Sequence, residues 1–180
     1  DALLALVNTT RSTDLVVMSA TMDAAPLAGF LGATMLEAGG RRYPVEITYA
    51  GLGRDGPTIE ALDTRVLDAL DAITNDGDVL VFLPGKLEIE KLRQRIAKVF
   101  QKRFAVHTLH SGLNMAEQQR VFANSQKPKL ILSTNIAQTS LTLPNVTLVI
   151  DSGLVRQTQY FQGRGFLGLV PIAKDAADQR

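Results

Sequence analysis

Short apolar runs rich in Val, Leu and Ile recur along the chain, at Leu15–Ser19, Val45–Tyr49, Val79–Leu83, Ala105–Leu109, Leu130–Ser133 and Val146–Asp151. Most are continuous in apolar residues and do not alternate, as in strands buried on both faces of a parallel sheet. Between them, apolar positions return at helical spacing over Ala24–Leu31, Ile59–Thr74, Leu87–Phe100, Ala116–Ala123 and a short stretch near Ile136. Strand, helix, strand in repetition predicts right-handed crossovers and an α/β fold, a parallel sheet covered by helices on both faces. Ligands of such sheets bind beyond the carboxyl ends of the strands, so the loops after Leu83, Leu109, Ser133 and Asp151 matter most.

Within Leu87–Phe100, the residues Ile89, Leu92, Ile96 and Val99 fall on one face, and Lys91, Arg95, Lys98 and Lys102 form a basic stripe beside it. The first set predicts the core side of the helix and the second a solvated side. Gly39-Gly40 and Pro44 mark a junction between two structural units, dividing the chain at residues 1–38 and 39–180. After Asp151 the pattern changes to Leu154–Tyr160 and Phe166–Val170 around Gly163, Gly165 and Gly168, which predicts a paired extended segment.

Composition narrows the class. The chain has 180 residues, 46% hydrophobic and 21% charged, which suits a medium globular domain with a core, or a domain plus part of another. No apolar run approaches the roughly 20 residues of a membrane helix. No signal-peptide pattern opens the chain, and cysteine is absent, which fits a reducing, cytoplasmic setting. Two histidines, His107 and His110, argue against a structural zinc site. The net charge of +1 hides an asymmetry. Residues 1–90 carry 6 Lys/Arg against 14 Asp/Glu, whereas residues 91–180 carry 13 against 4. A basic half suits an anionic partner, although basic faces are also commonly just solvated.

Gly51-Leu-Gly53-Arg-Asp-Gly56 fits a dinucleotide fingerprint in spacing only. The preceding run alternates, and Pro57-Thr58 start the helix after the last glycine, so a phosphate would not meet the helix N-terminus. The segment reads as a flexible loop. More chemistry lies at Thr134 and Asn135, with Thr139, Ser140 and Thr142 close by. Hydroxyls and backbone N–H groups at a strand-to-helix turn hold phosphate oxygens, or they merely cap a helix.

Leu132-Ser-Thr-Asn-Ile-Ala-Gln-Thr-Ser-Leu-Thr142, followed by Val149-Ile-Asp-Ser-Gly153, resembles motif V of the DEAH-box (DEAH/RHA, superfamily 2) helicases. Met18-Ser-Ala-Thr-Met22 resembles motif III, and Val81-Phe-Leu-Pro-Gly85 with Glu88-Ile89 resembles motif IV. Leu109-His-Ser-Gly-Leu113 and Gln118-Gln-Arg-Val-Phe122 resemble the motif after it, and Ala176-Ala-Asp-Gln-Arg180 the opening of motif VI. The stretch Asp23–Ala33 followed by Gly40–Tyr49 resembles the bacterial HrpB-type branch.

The resemblance implies a RecA-like sheet, with 1–38 the end of a first RecA-like domain and 39–180 most of a second. It implies that Gly85, Ser111, Gly112, Thr134 and Asn135 contact the backbone of RNA or DNA. Phe122 would stack on adenine, or else serve as a core residue of its helix. Ser140 and Thr142 would lie near the nucleotide, Gln179 near its γ-phosphate, and Ser19, Ala20 and Thr21 would couple hydrolysis to domain movement. Gln138 and Pro144 depart from the family pattern, which puts the ribose contact in doubt. Neither GxxxxGK[ST] nor Asp-Glu-Ala-His occurs in these residues, and the chain ends at Arg180 before the arginines of motif VI. ATP and Mg²⁺ are therefore expected in the parent protein and not in this piece alone, which should not hydrolyse ATP. Two function classes follow: part of an ATP-dependent helicase, or a non-catalytic nucleic-acid or protein-binding module that keeps the fold. The partners implied are RNA or DNA and the first RecA-like domain of the parent, with no membrane.

Overall fold

Asp78-Val-Leu-Val-Phe82 and Lys129-Leu-Ile-Leu-Ser133 are buried at every position. Only central strands with a packed layer on each side can use so continuous an apolar run. In the computed structural model, which describes residues 16–18, 24–36, 44–49, 58–74, 76–139, 143–161 and 164–172, these two are neighbours in the middle of a parallel sheet. The described elements are α1 (Ala25–Leu31), α2 (Leu62–Ala72), β1 (Asp78–Phe82), α3 (Lys86–Val99), β2 (Ala105–Leu109) and α4 (Met115–Gln119), which runs into a 3-10 turn at Arg120–Phe122. They continue with β3 (Lys129–Ser133), α5 (Ile136–Thr139), β4 (Val146–Asp151), β5 (Leu154–Phe161) and β6 (Arg164–Pro171). The sheet order is β2-β3-β1-β4, all parallel, and β5 and β6 pair separately as an antiparallel hairpin.

Side chains of successive strand residues point to opposite faces, so β1 and β3 feed two cores. Val79, Val81, Leu130 and Leu132 pack on one face with Leu62, Val66 and Leu70 of α2 and Ile89, Leu92 and Ile96 of α3. Leu80, Phe82 and Ile131 pack on the other with Leu109, Val121 and Ala137. Both faces are covered, as the alternation of elements predicts. β4 flanks the sheet with a burial pattern that alternates, and Val149 is exposed on its outer side.

The chain divides into two units, Asp1–Ile47 and Thr48–Arg180. In the first, α1 begins with Pro26 in its opening turn and ends at Gly32, whose φ of 59° is the left-handed conformation glycine adopts without strain. The sheet, the helices around it and the hairpin belong to the second.

Four expectations are corrected. Residues 44–49 and Val16–Met18 are exposed and lie in no strand, because every described ladder is made by other segments. Alternation in Val45–Tyr49 therefore marks an extended surface segment. On α3, Val99 is 65% exposed and Phe100 is buried instead, because a four-residue step from Ile96 returns to the core face. Phe100 there meets Phe104 at 6.4 Å between ring centroids. The basic stripe is partly engaged: Arg95 and Lys91 both pair with Asp63 of α2. The Arg95 hydrogen bond holds the Asp63 carboxyl below its ordinary pKa. Finally, Ala116–Ala123 is not one helix but α4 and the 3-10 turn.

Candidate functional site

Strand register places the loops of interest side by side. Leu109, Ser133, Phe82 and Asp151 are partners in one row across β2, β3, β1 and β4. The residues after them leave the sheet at one level. Three hydrogen bonds carry the ladder one step beyond the strands: Thr134 N–H donates to the Leu109 carbonyl (3.1 Å), Leu83 N–H to that of Ser133 (2.8 Å) and Ser152 N–H to that of Phe82 (3.1 Å). The fully buried Ser133 hydroxyl lies 2.7 Å from the Thr134 carbonyl and 3.1 Å from that of Leu109. Its one proton is shared between them and fastens the β2 and β3 loops together. Sequence reading passed over Ser133, yet a hydroxyl ending a wholly apolar strand is itself a signal.

Five predicted positions meet on this carboxyl edge. Gly85 opens α3 after β1, Ser111 and Gly112 lie exposed after β2, and Thr134 and exposed Asn135 follow β3. Gly85 has extended backbone, so its need for glycine is one of space. A Cβ there would sit 2.7 Å from Arg156 Nε and 2.9 Å from Glu88 Oε2. Those two side chains form an ion pair (2.6 Å) that ties β5 to the first turn of α3. Lys86 follows Gly85 and is exposed. It adds a positive charge beside the α3 amino end, whose N–H groups already favour anions. Arg156 and Lys86 were not singled out from the sequence, and only the position of Lys86 next to Gly85 pointed to it.

The β2 loop is built by its own side chains. His110 is buried, and its Nδ1 accepts from the Gly112 N–H at 3.1 Å, which fixes the neutral ring with its proton on Nε2. Asn114 and Glu117 form a reciprocal cap that starts α4 immediately afterwards, each bond 2.9 Å. Burial pushes the His110 pKa down from 6.5, and the Lys86 charge adds to this. Burial lowers that of His107 as well. With a depressed folded pKa, the unfolded chain binds protons first as the pH falls below about 6.5. Stability is thus intact above that value and declines below it. We expect the melting temperature to fall between pH 7.5 and 5.5, and His110→Gln to flatten part of that slope; a wild-type profile flat over this range would contradict the assignment.

Phe122 lies at the other end of the sheet. Val121 is buried and fills the core position of the 3-10 turn, while Phe122 is 38% exposed, so the alternative of a core phenylalanine does not hold. The first residues of β1 and β3 support this turn. Lys129 Nζ donates to the Val121 carbonyl at 2.8 Å and the Ala123 carbonyl at 3.4 Å, and stands 3.5 Å from Asp78 Oδ2. Asp78 Oδ1 accepts from the Lys129 backbone N–H at 2.7 Å. Sequence reading also missed this pair; the signal was a charged residue opening each of the two most apolar runs.

Ser19, Ala20, Thr21, Ser140, Thr142 and Gln179 lie outside the described residues, as does the Gly51–Gly56 loop. Among the described residues, no group of His, Cys, Asp and Glu side chains is arranged to hold a metal, and no helix is long and apolar enough to cross a membrane.

The family described as "Helicase conserved C-terminal domain" matches residues 61–165. The chain is 31% identical over 172 residues to ATP-dependent RNA helicase HrpA of Escherichia coli, covering 92% of this chain and 13% of that protein. It is 32% identical over 179 residues to the HrpA homolog of Haemophilus influenzae, covering 94% and 13%. The crystal structure of the Escherichia coli DEAH/RHA helicase HrpB superposes with a TM-score of 0.82 at 28% identity, over 99% of this chain and 24% of that one. The chain therefore spans about an eighth of the length of these curated relatives. The matched residues include β1 to β4 with their carboxyl-edge loops and the Phe122 turn, and the chain belongs to the helicase conserved C-terminal domain family.

Proposed function

We propose that this chain is part of an ATP-dependent RNA helicase, in which the carboxyl-edge loops hold the RNA backbone and Phe122 stacks on the base of ATP. The observation that carries the reading is the single row Leu109–Ser133–Phe82–Asp151, which brings Gly85, Ser111, Gly112, Thr134 and Asn135 out on adjacent loops at one level. Small side chains, hydroxyls and the Asn135 carboxamide in that arrangement suit phosphate and sugar oxygens. Such a grip tracks any sequence, as a motor requires.

Phosphoryl transfer is the chemistry that ATP with Mg²⁺ supplies when bound, and it requires the P-loop lysine and metal ligands as well. The first RecA-like domain of the parent protein would contribute those. This chain's own part is to hold the base at Phe122, to present Ser140, Thr142 and Gln179 toward the nucleotide, and to grip RNA at the opposite edge. Ser19, Ala20 and Thr21 would link the first domain's movement to hydrolysis. RNA is favoured over DNA because the relatives above are named RNA helicases.

A titration of the chain with labelled single-stranded poly(U) at rising salt tests the grip. Weak binding is expected, with log K falling against log salt at a slope of about −0.7 for each phosphate that a cation such as the exposed Lys86 neutralises. Salt-insensitive or sequence-selective binding would overturn the reading.

A further inference from the structure

We propose that Lys129, paired with Asp78, is the positioning residue that sets the Phe122 ring for the nucleotide base. The inference rests on the reading of Phe122 given above and adds the device that aims it. The Lys129 ammonium touches the carbonyls of Val121 and Ala123, the residues on either side of Phe122. A 3-10 turn of three residues has few bonds of its own, and its carbonyls are the groups left to be satisfied. Holding the carbonyls before and after one residue fixes its backbone, and so the direction in which its side chain leaves.

Asp78 in turn holds Lys129. One carboxylate oxygen binds the Lys129 backbone N–H and the other faces the ammonium, and both side chains are more than nine-tenths buried, at 9% and 7% exposed. A buried ion pair is rarely the cheapest way to stabilise a sheet, since apolar residues of the same volume do as well. Its distinguishing effect here is geometric. It gives the turn an anchor on the first residues of the two central strands, which are buried at every position. Half-exposed Phe122 is then presented on a turn that does not yield when a base stacks on it, and little conformational entropy remains to be lost on binding.

The test uses the intact parent protein, with ATP and base-free ribose 5′-triphosphate as paired substrates. Phe122→Ala should raise KM for ATP about tenfold, the scale of one base–aromatic stack, and leave KM for ribose triphosphate unchanged. The double variant D78N/K129M removes both charges together, so no unpaired buried charge is left, and it also removes the hold on the two carbonyls. It should raise KM for ATP severalfold with kcat and the KM for ribose triphosphate preserved, and K129R should restore much of the ATP preference. A merely structural role would move both substrates alike. If the double variant keeps the wild-type ratio of the two KM values while F122A collapses it, the positioning role is overturned. If F122A itself leaves the ratio unchanged, Phe122 does not meet the base, and the functional reading falls together with this inference.

Discussion

Replacing Lys129 by Met alone is expected to lower the unfolding free energy by about 3–5 kcal/mol. The methionine fills nearly the same volume, so the loss comes from what is left behind. Asp78 stays buried at the start of a central strand with its ammonium partner gone, and the carbonyls of Val121 and Ala123 lose a donor. Removing one member of a buried pair costs far more than the pair contributed, because the desolvation of the survivor is no longer offset. Against a domain stability of about 5–15 kcal/mol this is a large fraction. Urea denaturation of the wild-type chain, K129M and D78N/K129M checks it. The double variant should recover most of the loss, since both charges leave the interior together. A single variant within about 1 kcal/mol of wild type would show that water reaches Asp78 and that the pair is not a buried anchor.

The fold was legible wherever one physical cause acted alone. Runs buried on both faces announced β1 and β3, because no surface strand tolerates such a sequence, and the four parallel strands lie close to where the apolar runs put them. The hairpin was equally plain from its paired extended stretches around glycines. Val45–Tyr49 misled because alternation describes one dry face, and an exposed extended segment can carry the same pattern without joining a sheet. Val99 misled because 3.6 residues per turn lets a three- or four-residue step continue a stripe, and packing against Phe104 chose Phe100. The candidate site was legible by resemblance in its small residues and hydroxyls, whereas its supports were not. Ser133, the Arg156–Glu88 pair and the Lys129–Asp78 pair each join residues distant in sequence or hidden inside a strand. Their spacing follows only once strand order is known, since the crossover from β1 to β2 skips the position between them that β3 then fills.

On the function proposed above, the two edges of this sheet serve two ligands, RNA at the carboxyl edge and the nucleotide base at Phe122. The Thr134 N–H is already spent on the Leu109 carbonyl, so what remains for a phosphate at that loop is the Thr134 hydroxyl and the exposed Asn135. Charge-assisted hydrogen bonds of that kind are each worth about 1.5–3 kcal/mol, enough for a tenfold or larger change in affinity when removed. The Phe122 ring offers one stacking surface of similar magnitude. Because Phe122 and the carboxyl-edge loops follow opposite ends of the strands, the two losses should be separable. The most direct measurement is RNA-stimulated ATP hydrolysis by the intact parent protein, each ligand titrated at saturation of the other, in T134A/N135A and in F122A. T134A/N135A is expected to raise the RNA concentration for half-maximal stimulation about a hundredfold or more with KM for ATP preserved, and F122A to raise KM for ATP about tenfold with the RNA requirement preserved. Both variants raising both constants equally, or T134A/N135A changing only KM for ATP, would contradict it.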